Sequence, residues 1–161
     1  MGFRDEKVRT VTAQCFFGAW IFGWVTAIFV PSALIALAEL SPRSSGKGII
    51  IGTFAVADQV SPAAKLGFGT LTAAFMLSAR RFVAVRGIFA IALDVLLAVT
   101  ATLLVLVLLP EQWSRGFGIG LTGTRFAPEA TLIYLAGAFL SGLVFSLSEA
   151  KCSARTGNAT G

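Results

Sequence analysis

Residues 80–110 read RRFVAVRGIFAIALDVLLAVTATLLVLVLLP, and this stretch decides the class of the protein. Arginines stand at its start, a long apolar run follows, and Pro110 closes it. About 20 apolar residues are enough for a helix to cross the hydrocarbon core of a bilayer, and this run is longer than that. The stretch therefore predicts a transmembrane helix over 82–109, in which Asp94 is the one charge of the apolar run that follows Arg86.

The rest of the chain has the same membrane character. Of its 161 residues, 56% are hydrophobic, and the mean hydropathy is +0.83. Charged residues make up 13%, about half of the roughly 25% that is typical of soluble domains. Further apolar runs predict helices over about 11–39, 52–79 and 128–149. We therefore expect an all-α, integral membrane four-helix bundle over 11–149, between a polar lead at 1–10 and a polar tail at 150–161.

The second of these helices admits two interpretations. Asp58, Gln59, Pro62 and Lys65 interrupt it, and Ser61-Pro62 is a favourable helix start. Either a helix begins at Pro62 behind an extended or re-entrant segment, or one helix over 52–79 is kinked there. We favour the kinked helix, because bilayers do not tolerate lipid-exposed irregular backbone. In the first helix, Pro31 should also cause a bend, with the Ser32 hydroxyl satisfying the carbonyl that Pro31 frees.

Small residues recur four apart on every predicted helix. In lipid, such rows let helix backbones approach closely, so they predict the packing faces of the bundle. The residues assigned to these faces are Gly23, Ala27, Gly69, Ala73, Ala90, Ala98, Gly137, Ser141 and Gly142.

The distribution of basic residues predicts the orientation. Four spans place both termini on one side, and the side with more Lys and Arg usually faces the cytoplasm. The terminal side would hold Arg4, Lys7, Arg9, Arg80, Arg81, Arg86, Lys151 and Arg155, and the other side Arg43, Lys47, Arg115 and Arg125. This bias predicts N-in, C-in, and the net charge of +5 suits contact with anionic lipid headgroups.

Asp94 is the strongest candidate for a functional residue. Inserting a charged side chain at the centre of a membrane helix costs about 2.5–3.5 kcal/mol, so such a residue usually has a partner or a task. It could bind a proton or a cation. It could also be a structural acid that is protonated, or paired with Arg86 two turns earlier, or paired with a polar group on another helix. We favour the structural interpretation.

Asp58 and Lys65 form a second polar candidate. They are seven residues apart and would share a face of one continuous helix. They could form an ion pair or line a vestibule with Gln59. The simpler expectation is that both are solvated at the outer interface, since lysine reaches water readily.

The sequence offers few residues for catalysis or for binding a cofactor. The chain contains no histidine, and we find no nucleophile–base or metal-ligand set, so we expect neither an enzyme nor a cofactor. The glycine-rich segment 116–120 lacks the GKS/T of a phosphate loop. Nucleic acid is not expected as a partner, because the basic residues form no continuous patch. Cys15 and Cys152 should be free thiols, with palmitoylation as the alternative.

The predicted topology resembles the tetraspan plan of MARVEL-type proteins: four helices, inner termini, a very short second loop and a longer third one. Within that group, the basic residue and the acid of Arg86-Gly87-Ile88-Phe89-Ala90-Ile91-Ala92-Leu93-Asp94 resemble the third helix of Casparian-strip-type proteins. The loop cysteines of that group are absent here.

From the sequence we therefore expect a non-catalytic structural or accessory subunit of a larger membrane protein assembly. Its partners would be the lipid bilayer and either other membrane proteins or further copies of itself. The alternative is a small oligomeric transporter or channel that uses Asp94.

Overall fold

A computed structural model describes residues 2–39, 46–60, 62–82, 87–108 and 128–158. All regular structure in these segments is helical. The helices are α1 (Gly2–Glu39), α2 (Gly46–Gln59), α3 (Pro62–Phe82), α4 (Ile88–Leu108) and α5 (Pro128–Asn158). The predicted all-helical class is confirmed, with five described helices where the sequence predicted four.

Three segments are long and apolar enough to cross a membrane: Ala13–Ala38, Ile88–Leu108 and Thr131–Arg155. Their outward faces carry large apolar side chains such as Phe22, Leu96 and Leu132, each more than half exposed. A water-soluble protein rarely exposes so much contiguous apolar surface. These helices therefore fit a protein of the membrane.

The single kinked helix predicted over 52–79 is wrong, because two helices occupy this region. α2 ends at Gln59 and α3 starts at Pro62, and the two are bent by 84° at the break. The Val60 N–H donates to the Ala57 carbonyl at 3.3 Å and closes α2. Pro62 has no N–H to continue that helix but suits the first position of the next one. Together the pair qualifies as one broken span or a re-entrant loop.

α1 and α3 run antiparallel, and two tryptophans show this directly. The Trp20 indole N–H donates to the Gly69 carbonyl at 3.0 Å, and Trp24 donates to the Lys65 carbonyl at 2.9 Å. A step of four residues toward the C-terminus of α1, from Trp20 to Trp24, corresponds to a step of four residues toward the N-terminus of α3, from Gly69 to Lys65. The two indoles stack at 5.5 Å, and a Cβ at Gly69 would lie 3.0 Å from the Trp24 Nε1.

α5 packs along both α1 and α4, while α2 packs on α1 and α3 packs on α4. Glycines occupy the closest helix crossings. A Cβ at Gly142 would lie 2.5 Å from the Val95 Cα, and one at Gly23 would lie 3.2 Å from the Ser141 carbonyl oxygen. Gly137 faces the Pro31 ring, whose Cδ would be 2.7 Å from an added Cβ. These small residues serve contacts within the chain.

The other small residues assigned to packing faces differ in burial. Ala98 and Ser141 are buried, and Ala98 belongs to a core with Ala19, Met76 and Phe145. Three more are half-buried, namely Ala27, Ala73 and Ala90.

Pro31 lies inside α1, which continues through it as one helix. The Ser32 hydroxyl donates to the Ile28 carbonyl at 2.7 Å, so it does not satisfy the Ala27 carbonyl that Pro31 leaves without its helical donor. That carbonyl oxygen instead faces Gly137, 3.4 Å from where a Cβ would stand. The expected role of Ser32 is therefore wrong.

Candidate functional site

Asp94 is fully buried in α4, six residues after its start at Ile88, or about 9 Å along the helix. Both of its carboxylate oxygens accept hydrogen bonds from Arg80 near the end of α3. Arg80 Nη1 lies 2.9 Å from Asp94 Oδ1, and Nη2 lies 2.8 Å from Oδ2. This two-pronged geometry is the strongest form of ion pair that side chains make.

The same guanidinium reaches a second carboxylate, that of Glu149 in α5. Arg80 Nη2 lies 2.6 Å from Glu149 Oε2, and Nε lies 3.2 Å from the same oxygen. The Arg80 Cζ also stands 5.5 Å from the centre of the Phe145 ring, within the range of a cation–π contact. We call Arg80, Asp94 and Glu149 the Arg80 cluster; it joins α3, α4 and α5.

The cluster is graded in exposure. The Asp94 side chain is completely buried, whereas Arg80 is 31% and Glu149 18% exposed. Burying a carboxylate without a partner is strongly unfavourable, and a guanidinium with matched hydrogen bonds offsets much of that cost. With both carboxylates ionised, one cation stands between two anions, and the cluster carries one net negative charge.

The two cysteines form a disulfide, which corrects the expectation of free or palmitoylated thiols. Cys15 of α1 and Cys152 of α5 are bonded, with their Cα atoms 5.5 Å apart. This distance is typical of disulfides. The bond places the beginning of α1 and the end of α5 at one end of the molecule.

Aromatic contacts connect the disulfide to the Arg80 cluster. Phe16, the neighbour of Cys15, packs edge-on against Phe145 with the ring centres 5.4 Å apart. Phe145 in turn lies under the Arg80 guanidinium. Cys152 follows Glu149 by three residues, which is within one turn of α5. The ion cluster and the disulfide therefore belong to one contiguous region.

The second predicted polar site does not assemble. Asp58 is exposed on α2 and Lys65 is half-buried on α3, so they lie on different helices. Both ion pairs of the described residues involve Arg80 instead. Lys65 lines a cavity of about 30 Å³ with Thr102 and Tyr134, enough for one or two water molecules.

Several predictions made from the sequence concern residues or side chains that the structure does not describe. These are Arg86 as the partner of Asp94, the Gln59 side chain in the vestibule, and the glycine-rich segment 116–120.

Sequence reasoning missed Arg80 and Glu149 as functional residues. It counted Arg80 among the basic residues that set orientation, and it treated Glu149 as the end of a helix. The available signal was the buried acid itself: an intramembrane carboxylate needs a cation, and a short turn between two antiparallel helices brings the end of one close to the start of the next. Spacing along one helix pointed to Arg86, but the partner described here comes from the neighbouring helix.

No family model, curated protein or solved structure matches this chain. The resemblance to the MARVEL-type plan is therefore not supported by a family match.

Proposed function

We propose that this protein is a non-catalytic four-helix membrane bundle that serves as a structural or accessory subunit of a larger membrane assembly. The observation that carries the proposal is the state of Asp94. Both of its oxygens are held by Arg80 in a fully buried position. Among the described residues this buried charge therefore joins two helices, and each of its oxygens already has a hydrogen-bond partner.

In this proposal α1, α3, α4 and α5 cross the bilayer. α3 has 21 residues, about 31 Å at 1.5 Å per residue, which suffices for a core of about 30 Å. The antiparallel course of α1 and α3 and the Cys15–Cys152 bond support an even number of crossings with both termini on one side. The excess of basic residues favours the cytoplasm for that side.

A small-residue row on α3 supports the existence of a partner helix. Thr70, Ala74 and Ser78 are four apart and all exposed, whereas Gly23, Gly137 and Gly142 are already used within the chain. In lipid a small-residue row gains by packing against another helix, because the backbones can approach closely. We assign this row to contact with a further membrane protein.

The test is the native mass of the protein extracted in mild detergent, with identification of whatever is bound. We expect a complex with other membrane proteins that Ala74→Leu weakens. Ala92→Leu is the matched control, because Ala92 is also exposed but lies on α4, outside the row. A chain that migrates alone, or only with copies of itself, would contradict the accessory-subunit proposal.

The second candidate is a small oligomeric transporter or channel that uses Asp94. One observation favours it: a single guanidinium is shared by two carboxylates, and Arg80 and Glu149 are partly exposed. A proton or cation entering from that side would neutralise the excess negative charge. Flux into liposomes tests this candidate with Asp94→Asn, and with Asp58→Asn as an exposed control. Undiminished flux in Asp94→Asn would rule out transport through this carboxylate.

A further inference from the structure

The disulfide and the charge bias point to opposite environments. The end of the molecule that holds Cys15 and Cys152 also carries four exposed basic residues among those described, namely Arg80, Arg81, Lys151 and Arg155. Such an excess of basic residues is typical of the cytoplasmic side. In the cytoplasm, disulfides are rare, and those that occur are usually transient.

We propose that Cys15 and Cys152 form a reversible thiol–disulfide site, a redox clamp between α1 and α5. Its reaction partners are low-molecular-weight thiols and disulfides of the glutathione class. The inference rests on the inner location of the termini given under the proposed function, and it does not depend on the accessory role. It adds a covalent switch that the subunit proposal does not contain.

The exchange is balanced by two equivalents of thiol. The thiolate of the first attacks the sulfur of Cys152, the protein S–S bond breaks, and Cys15 leaves as a thiolate that takes up a proton. The second thiolate attacks the mixed disulfide and releases Cys152, together with the oxidised form of the small thiol. Cys152 is the entry point, because it is half-buried whereas Cys15 is only 4% exposed. The reverse sequence closes the clamp and consumes one small disulfide.

The clamp acts on the Arg80 cluster through α5. Glu149 and Cys152 are three apart and therefore neighbours on one face of the helix. While the disulfide holds the last turns of α5 against α1, Glu149 stays within 2.6 Å of Arg80 Nη2. Asp94 has its own two bonds to Arg80, and neither bond includes an atom of α5. Reduction should thus loosen the Glu149 arm of the cluster while leaving the Asp94 arm in place.

The first test traps thiols in living cells. Cells are quenched with acid, and the denatured protein is labelled with a polyethylene-glycol maleimide. The chain has two cysteines, so the disulfide form takes no label and the reduced form takes two. We expect two labels in growing cells, none after exposure to the thiol oxidant diamide, and two again after its removal. The Cys15→Ala variant has one cysteine, so it shows where a protein with a single label runs on the gel.

Two results would overturn the proposal. Labelling that is always absent would make the bond a permanent staple on an oxidising side of the membrane. Labelling that is always double would mean that the bond does not form in the cell. Neither result bears on the native mass in detergent, so a failure here is distinct from a failure of the proposed subunit role.

A second measurement tests the link to the cluster. The thermal midpoint of the purified protein in detergent is compared between the oxidised and reduced states, for the wild type and for Glu149→Gln. We expect Glu149→Gln to lower the midpoint at least twice as much in the oxidised protein as in the reduced one. If Glu149→Gln lowers the thermal midpoint equally in both states, the disulfide does not control the Glu149–Arg80 contact.

Discussion

Replacing Gly142 with alanine tests a close backbone contact between α4 and α5. The added Cβ would lie 2.5 Å from the Val95 Cα and 2.9 Å from both the Asp94 carbonyl oxygen and the Val95 nitrogen. All three are backbone atoms, so no side-chain rotation can make room. Non-bonded carbon atoms prefer about 3.5–4.0 Å. The two helices must therefore separate here by about 1 Å, on the basis of that preferred distance.

The expected cost follows from this separation. Overpacking a well-packed contact typically costs about 1–3 kcal/mol. Alanine has a helix propensity about 1 kcal/mol better than that of glycine, which offsets part of the loss. We expect a net loss of about 0–2 kcal/mol in the free energy of unfolding relative to the wild type, and of about 1–3 kcal/mol relative to a glycine-to-alanine change at an open helix position. The change also displaces the backbone of Asp94, so the Arg80 cluster should weaken with it.

Gly18→Ala is the matched control. It adds the same atom to a helix that is long and apolar enough to cross a membrane, but nothing stands within 4 Å of the new Cβ, so the free energy of unfolding should stay the same or rise. Unfolding is followed by titrating sodium dodecyl sulfate into mild detergent micelles and recording helicity. Gly137→Ala should resemble Gly142→Ala, because it meets the Pro31 ring. A Gly142→Ala protein as stable as Gly18→Ala would refute the contact.

The same titration checks two further predictions. Arg80→Met leaves the Asp94 carboxylate buried without its partner and should cost about 3–5 kcal/mol; adding Asp94→Asn to this variant should recover part of the loss. A double variant no more stable than Arg80→Met would contradict the ion pair. Trp24→Phe removes the indole donor to the Lys65 carbonyl and should cost about 0.6–1 kcal/mol, as interhelical hydrogen bonds in membranes do. Unchanged stability in this variant would mean that the bond contributes nothing.

The apolar helices and the burial of one α4 face followed from sequence, because both are local properties. Asp94, Ala98 and Thr102 are four apart, and a helix must place them on one stripe. All three are buried, at 0%, 0% and 7% exposed. Whether that stripe would hold a charge pair, and with which partner, depends on how α3 and α4 align with each other. The spacing of residues along one helix cannot predict that alignment.

The disulfide and the break between α2 and α3 were not predicted from the sequence, for different physical reasons. Cys15 and Cys152 are separated by 137 residues, and only the antiparallel packing of α1 and α5 brings them together. Cys15 lies near the start of the first predicted helix and Cys152 just after the end of the fourth, so the predicted N-in, C-in topology places both near one side, but it gives no distance between them. At the break, Pro62 was recognised as a possible helix start. The chain follows that signal, whereas we expected a kink within one helix.

The Arg80 cluster separates the two candidate functions by what each requires of Asp94. A transporting carboxylate must release its partner once per cycle. Arg80 would then lose the two short hydrogen bonds that it donates to Asp94 and would keep only its bonds to Glu149. A structural pair never needs to open, and replacing both of its members together by apolar groups of similar size is often neutral for stability, whereas removing one member is not. Asp94→Asn keeps the shape of the side chain but removes the charge. Retained assembly together with retained flux would place the cluster on the structural side, whereas loss of flux from an intact assembly would mean that Arg80 and Asp94 part during function.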